Sequence, residues 1–70
     1  MDYLQIIVEG DILKRPVLLL MNLEGSILKT IPSTGTNTFD IYREDLATGM
    51  YIFKIIQSKE TITTGKLVVQ

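Results

Sequence analysis

Apolar and polar residues alternate along this chain in short runs that fit β-strands. No segment repeats apolar residues at a helical period, whereas short β-branched and aromatic runs are separated by turn residues at fairly even spacing. Six strands are predicted, near residues 3–9, 16–22, 26–31, 38–41, 50–57 and 61–69. The pattern therefore predicts an all-β fold, a small antiparallel β-sandwich of about six strands.

Alternation within the strands divides their side chains between two faces. Successive residues of a strand point to opposite faces, so Leu4, Ile6 and Val8 share one face of the first strand. The second strand is apolar on both faces, as a central strand covered on both sides would be. The side chains expected in the core from later segments are Phe39, Ile41, Leu46, Tyr51, Phe53 and Ile55.

Turn chemistry predicts a tight hairpin at residues 22–25. Asn22 can bond its own backbone, and Gly25 supplies the positive φ that closes a type I turn with a bulge. Pro16 can stand only at the entrance of the second strand, because it has no N–H for the ladder. Gly49 is expected at positive φ where the chain enters the fifth strand.

Length and composition predict one domain with a thin core. A chain of 70 residues is marginal on its own, and its usual supports are disulfides, a structural metal or association. The chain has no Cys and no His, which removes disulfides and most zinc chemistry. We expect a single domain over residues 1–70, no metal, no cofactor, and a homo-oligomer formed through edge strands.

Charge and apolar run length argue against several partners. The formal net charge is −1, and Lys14 and Arg15 form the only adjacent basic pair, so we expect no nucleic-acid partner. The longest apolar run, residues 17–21, is far too short to span a bilayer. Residues 1–5 lack a basic region followed by an apolar stretch, so any export signal is expected upstream.

The sequence gives little support for catalysis, and we expect that the chain is not an enzyme. His, the commonest general base, and Cys, the best nucleophile, are both absent. Glu44 and Asp45 are adjacent, so on extended chain they point to opposite faces, and a solvated loop is expected there. Only Tyr42 among the aromatic residues is expected at the surface, which argues against a carbohydrate-stacking platform.

Two segments near the C-terminus carry a recognisable pattern. Residues 46–55 follow the order L-x-x-G-x-Y-x-x-K-I, and a tail of the type K-K-L-V-V-Q follows after a short polar turn. This order resembles the C-terminal sorting domain of the type IX (Por) secretion system of Bacteroidetes. Residues 17–28 are similar to a hairpin of that family, commonly V-x-I-Y-D-x-x-G-K-x-V.

The chain departs from the family pattern at three places. The Pro-Asn-Pro opening is missing, Ser26 stands where Lys is usual, and Gly65 replaces the first of the paired lysines. Small periplasmic β-sandwich proteins of gut Bacteroidetes share a similar Gly-x-Tyr strand and a Gly-containing last strand. They are the main competing family.

The resemblance implies a non-catalytic domain that directs cargo through the type IX secretion system to the cell surface. It implies that the chain is the C-terminal part of a larger secreted protein with its cargo domain upstream. It also implies passage through the periplasm and two partners, the type IX machinery and its sortase. Residues 66–70 are the expected docking strand, by β-augmentation at an edge. The residues assigned to the sorting signal are Gly49, Tyr51, Lys66, Leu67, Val68, Val69 and Gln70.

A function of a different class stays open. An immunoglobulin-like ligand-binding or adhesive module, extracellular or periplasmic, would act through its loops rather than through its last strand. A sorting domain should tolerate changes in residues 32–37, whereas an adhesive module should not. The sandwich is expected to be immunoglobulin-like under either function.

Overall fold

The computed structural model describes residues 3–43 and 46–70 and confirms an all-β fold. The strands of these residues are β1 (Tyr3–Ile7), β2 (Val17–Met21), β3 (Ile27–Pro32), β4 (Thr38–Tyr42), β5 (Gly49–Gln57) and β6 (Glu60–Val69). Each strand begins and ends within about two residues of its predicted range, which is the usual uncertainty of strand boundaries. Neither described range contains a helix that is long and apolar enough to cross a membrane.

The strands form two antiparallel sheets that pack together as a sandwich. β1 pairs with β4 in a two-stranded sheet, and the other strands form a sheet in the order β3-β2-β5-β6. The larger sheet is built from two hairpins, β2 with β3 and β5 with β6. The smaller sheet joins distant segments, because Gln5 of β1 lies opposite Asp40 of β4 and donates a hydrogen bond to its carboxylate at 3.0 Å.

Alternating residues of both sheets meet in one small core. The buried apolar side chains are Leu18, Leu20, Phe39, Ile41, Tyr51 and Ile55. The predicted core residues of β4 and β5 are therefore confirmed, and Leu46 and Phe53 are half-buried against this cluster. Pro16 is buried directly before β2, as its missing N–H requires.

Two expectations differ from the structure. The prediction that β2 is covered on both sides is wrong. Val17, Leu19 and Met21 are only half-buried, because the smaller sheet covers one face of the larger sheet. The sequence predicts Tyr42 as the only exposed aromatic residue, but Tyr3 is exposed too, and the two rings lie 5.5 Å apart at an angle of 50°.

The predicted turn geometry is confirmed at two glycines. Asn22 Oδ1 accepts hydrogen bonds from two backbone N–H groups of its turn, at 3.0 and 2.9 Å, and Gly25 has a φ of 91°. Gly49 has a φ of 155° at the start of β5. Both φ values lie in a region that residues with a Cβ atom rarely adopt.

Candidate functional site

Cross-strand pairing brings the two predicted sorting segments together at one end of the β5–β6 hairpin. Gly49 lies opposite Val69, and Tyr51 lies opposite Leu67. The two motifs are separated in sequence, but their residues pair with each other along the ladder between β5 and β6. We call Gly49, Tyr51 and residues 66–70 the terminal site.

The alternation of β6 divides the terminal site into an inward and an outward half. Leu67 and Val69 are half-buried and pack against the core cluster. Lys66 and Val68 point to the opposite face and are exposed, Val68 to 55%. β6 is the last strand of its sheet, so within the described residues no strand pairs with its outer edge. The terminal site therefore offers a main-chain edge and two outward side chains to a partner.

Gly49 and Tyr51 support the terminal site from within. The Tyr51 side chain is only 9% exposed, and its hydroxyl donates a hydrogen bond to the carbonyl of Ala47 at 2.5 Å. This bond fixes the segment that leads into β5, where Gly49 takes its positive φ. Both residues therefore hold the ladder in place; Tyr51 is buried and Gly49 is half-buried.

A pocket of about 300 Å³ lies between the terminal site and the smaller sheet. The Arg43 side chain stands in this pocket and donates from Nη2 to the main-chain carbonyl of Gln70, which ties the end of β6 to the segment after β4. Arg43 is a site residue that the sequence pattern did not indicate, because nothing in its neighbourhood links it to residues 66–70. The pocket is lined by Tyr3, Leu4, Ile41, Arg43, Leu46 and residues 67–70.

The predicted turn residues lie at the same end of the larger sheet as the terminal site. β2 runs antiparallel to β5, with Met21 opposite Ile52. The turn that holds Asn22 and Gly25 therefore follows β2 at the end where Gly49 begins β5. The pairing places the turn near the terminal site without making it part of the β6 edge.

Packing explains why Gly stands at position 65, where the chain departs from the family pattern. It lies opposite Phe53 on the inner face of the hairpin. A Cβ atom at position 65 would lie 2.4 Å from Phe53 Cζ and 2.6 Å from Phe53 Cε2. The phenyl ring thus occupies the space that a side chain at position 65 would need, and a Lys there requires the ring to move.

Asn37 is a buried residue whose role the sequence pattern did not indicate. It is 4% exposed, and its Nδ2 donates hydrogen bonds to the carbonyls of Val8 at 3.1 Å and Asp11 at 2.9 Å. Its Oδ1 accepts a hydrogen bond from the Leu13 N–H at 2.9 Å. Asn37 stands in a run of Ser, Thr and Gly that is typical of a surface loop, so its burial left no signal in the sequence.

The acidic pair Glu44 and Asp45, for which a solvated loop is expected, lies outside the described residues. Among residues 3–43 and 46–70, there is no group of three or more His, Cys, Asp or Glu side chains that could hold a metal ion.

Comparison with known proteins identifies a family. The family model described as secretion system C-terminal sorting domain matches residues 1–70. No curated protein and no solved structure matches the chain. The matched range includes both halves of the terminal site and the β2–β3 hairpin.

Proposed function

Because the chain belongs to the family of secretion system C-terminal sorting domains, we propose that it directs a cargo through the type IX secretion system to the cell surface and docks through β6. The family is a sorting family and not a catalytic one. The division of β6 supports the proposed docking strand. Lys66 and Val68 face outward at a sheet edge, while Leu67 and Val69 fix the same strand to the core.

A folded edge strand suits recognition by added strand pairing. Its unpaired N–H and C=O groups supply affinity that does not depend on sequence, and its outward side chains supply specificity. In β6 the strand is already extended and held by its ladder with β5, so little conformational entropy is lost when a partner binds. The proposed route places the cargo domain upstream, takes it through the periplasm and ends with removal of the sorting domain by the sortase.

The alternative function, an adhesive or ligand-binding module, has weaker support in the structure. The exposed aromatic pair is its best candidate, but the rings of Tyr3 and Tyr42 are inclined at 50° to each other. A sugar ring stacks on a flat aromatic face, and two rings at this angle do not form one flat platform. The loop at residues 32–37 is also held by the buried Asn37, so neither function is expected to tolerate a change at that residue, and only the other positions of the loop distinguish the two functions.

A secretion experiment tests the outward half of the terminal site. The chain is placed behind a signal peptide and a fluorescent reporter in a host with type IX secretion. The double variant Lys66→Glu with Val68→Thr changes only outward, exposed side chains of β6. The matched control is Lys14→Glu with Ile12→Thr, which makes the same kind of change at exposed positions outside the hairpin.

We expect the terminal double variant to leave most of the reporter in the periplasm, and the control to reach the surface like the parent chain. Equal denaturation midpoints of the two purified domains would show that the difference is in recognition. Equal surface display of both variants would contradict docking through β6. Deletion of residues 66–70 is a poorer test, because it also removes the ladder partners of Gly49 and Tyr51.

A further inference from the structure

The two sheets of the sandwich differ in width. The smaller sheet has two strands and the larger has four, and β4 contacts β3 at one margin of the larger sheet. β1 therefore ends the smaller sheet before β6 is reached, and the inner face of β6 extends beyond β1. Two pockets, of about 300 and about 410 Å³, follow this line between β1 and β6. We call this space the β1 slot.

The β1 slot is lined by apolar side chains of both sheets and by polar groups that include Arg43, Gln70 and Glu9. In its second pocket, Ile6 of β1 and Val8, which follows β1, face Phe53 and Thr63 of the hairpin. In its first pocket, the wall opposite β1 is made by residues 67–70. The slot is thus bounded by β1 at its side and by β6 below. It has the position that a third strand of the smaller sheet would occupy in a sandwich.

Half of the backbone groups of β1 point into the slot. The Val8 N–H donates to the Asn37 carbonyl at 2.9 Å, in continuation of the β1–β4 ladder. The N–H and C=O groups of a strand alternate in direction from residue to residue, so the even-numbered residues of β1 direct theirs to β4. The groups of Tyr3, Gln5 and Ile7 therefore point away from β4, toward the slot.

β1 also lacks the features that usually protect an edge strand. Soluble proteins blunt their edges with charged side chains, Pro or bulges. β3 carries Lys29 and Pro32, β6 carries Lys66, and each of these two strands has an irregular register with its neighbour. β1 contains no charged residue and no Pro, and its Ile7 is 61% exposed.

Charged side chains of opposite sign stand at the two ends of the slot. Arg43 lines the pocket at the Tyr3 end, and Glu9 lines the pocket at the Val8 end. A segment that runs antiparallel to β1 begins beside Glu9 and ends beside Arg43. A basic residue at its start and an acidic residue at its end would complement these charges.

We propose that the β1 slot binds an extended segment of a partner protein, which pairs with β1 as an antiparallel added strand. The segment has apolar side chains at alternate positions that pack onto Phe53, Thr63 and Leu67, a basic residue at its start and an acidic residue at its end. The segment pairs with the free edge of β1 and not with the outer edge of β6, although residues 67–70 line the slot and also belong to the terminal site.

The overhang of the larger sheet favours a lone segment over the edge of a second folded copy. A copy related by a two-fold axis through paired β1 strands would carry its own larger sheet on the same side. That sheet would need the position that β6 already occupies. A homo-oligomer through edge strands stays a prediction, and at β1 it competes with the proposed segment.

A synthetic peptide tests the proposal on the whole chain. The probe is Lys-Val-Thr-Val-Thr-Val-Thr-Val-Asp, blocked at both ends and labelled for fluorescence anisotropy. In the proposed pairing its Thr N–H groups point to β1 and its Val N–H groups point away. Methylation of two Thr nitrogens should weaken binding by more than about tenfold, because two hydrogen bonds are lost. Methylation of two Val nitrogens should leave binding unchanged.

A pair of protein variants supplies the matching test. Gln5→Pro removes an N–H that points into the slot and leaves the main-chain bonds between β1 and β4 in place, so peptide binding should fall by about tenfold. Asp40→Ala removes the same Gln5 side-chain hydrogen bond but keeps that N–H, and it should bind like the parent chain. Amide chemical shifts of Gln5 and Ile7 should move on binding, and that of Lys29, on β3 at the other edge of the larger sheet, should not.

Three results would overturn the proposal. The first is no binding of the unmethylated peptide, and the second is equal binding of the two methylated peptides. The third is a dimer in sedimentation that Gln5→Pro dissociates, since a second copy would then occupy the edge. The peptide comparison stands even if Gln5→Pro does not fold.

Discussion

The β5–β6 hairpin and the β1–β4 pair are stabilised by different interactions. The hairpin forms nine cross-strand pairs over a two-residue turn, and its inner face packs through apolar side chains. The β1–β4 pair forms five and joins segments from opposite halves of the chain. Its end is held by the buried amide of Asn37, which bonds main-chain groups of residues 8–13. The hairpin is thus specified locally, whereas β1 depends on one polar residue far away in sequence.

The largest expected effect is on the β1–β4 side. Asn37→Ala leaves three main-chain groups without their side-chain partner and puts Ala at a φ of 53°. We expect a loss of about 2–4 kcal/mol, because buried polar groups without hydrogen bonds are costly. This is comparable to the whole stability margin of so small a core, roughly 3–5 kcal/mol. Urea denaturation measures the loss.

Asn22→Ala is the matched control for this prediction. Asn22 also bonds main-chain groups, because its side-chain oxygen accepts two hydrogen bonds, but these are exposed, so water can replace the side chain. Asn22→Ala should lower the free energy of unfolding by about 1 kcal/mol or less, the usual contribution of one hydrogen bond. If the two variants lose the same stability, the buried amide has no special role in holding β1.

A smaller effect is expected inside the hairpin. Gly65→Val places a side chain where the Phe53 ring lies, and overpacking of this kind costs about 1–3 kcal/mol. Gly35→Val is the control, because nothing lies within 4 Å of a Cβ at position 35. The difference between their denaturation midpoints measures the clash. A Gly65→Val variant as stable as its control would mean that Phe53 can leave its place freely.

The smallest effect is a gain in the turn of the hairpin. Ser58 and Lys59 connect β5 to β6 with φ values of 51° and 67°, the two positive values of a type I′ turn. Asn and Gly adopt these angles more easily, so the double variant Ser58→Asn with Lys59→Gly should gain up to about 1 kcal/mol. Thermal unfolding measures the gain, with Lys59→Ala as a control that should show none. A lower midpoint for the double variant would contradict a strained turn.

Sequence patterning was sufficient for features that depend on near neighbours. The strands, the Asn22 turn, the positive φ of Gly49 and the inward set of β5 all follow from alternation and turn chemistry. The terminal site was predicted as two motifs, but their ladder pairing became visible only in the structure.

Features that depend on distant segments left no local signal. Nothing around Asn37 shows that it will meet residues 8–13, and nothing around Arg43 points to Gln70. The division into sheets of two and four strands is equally non-local, so the half-buried outer face of β2 was misjudged. A continuous apolar strand is compatible with a sheet that is covered on one face and with a sheet that is covered on both faces.

The separation in sequence between β1 and β4 also affects the order in which the strands fold and unfold. Gln5 and Asp40 are 35 positions apart, whereas β5 and β6 meet across a turn and can zip up within microseconds. Closing the long loop to β4 is entropically unfavourable and comes late, so β1 joins a nearly complete molecule. By microscopic reversibility β1 also leaves first, and its amide hydrogens should exchange with solvent at a lower free energy than those of β5. Partial unfolding of this domain would thus open it at β1 while the β5–β6 hairpin stays intact.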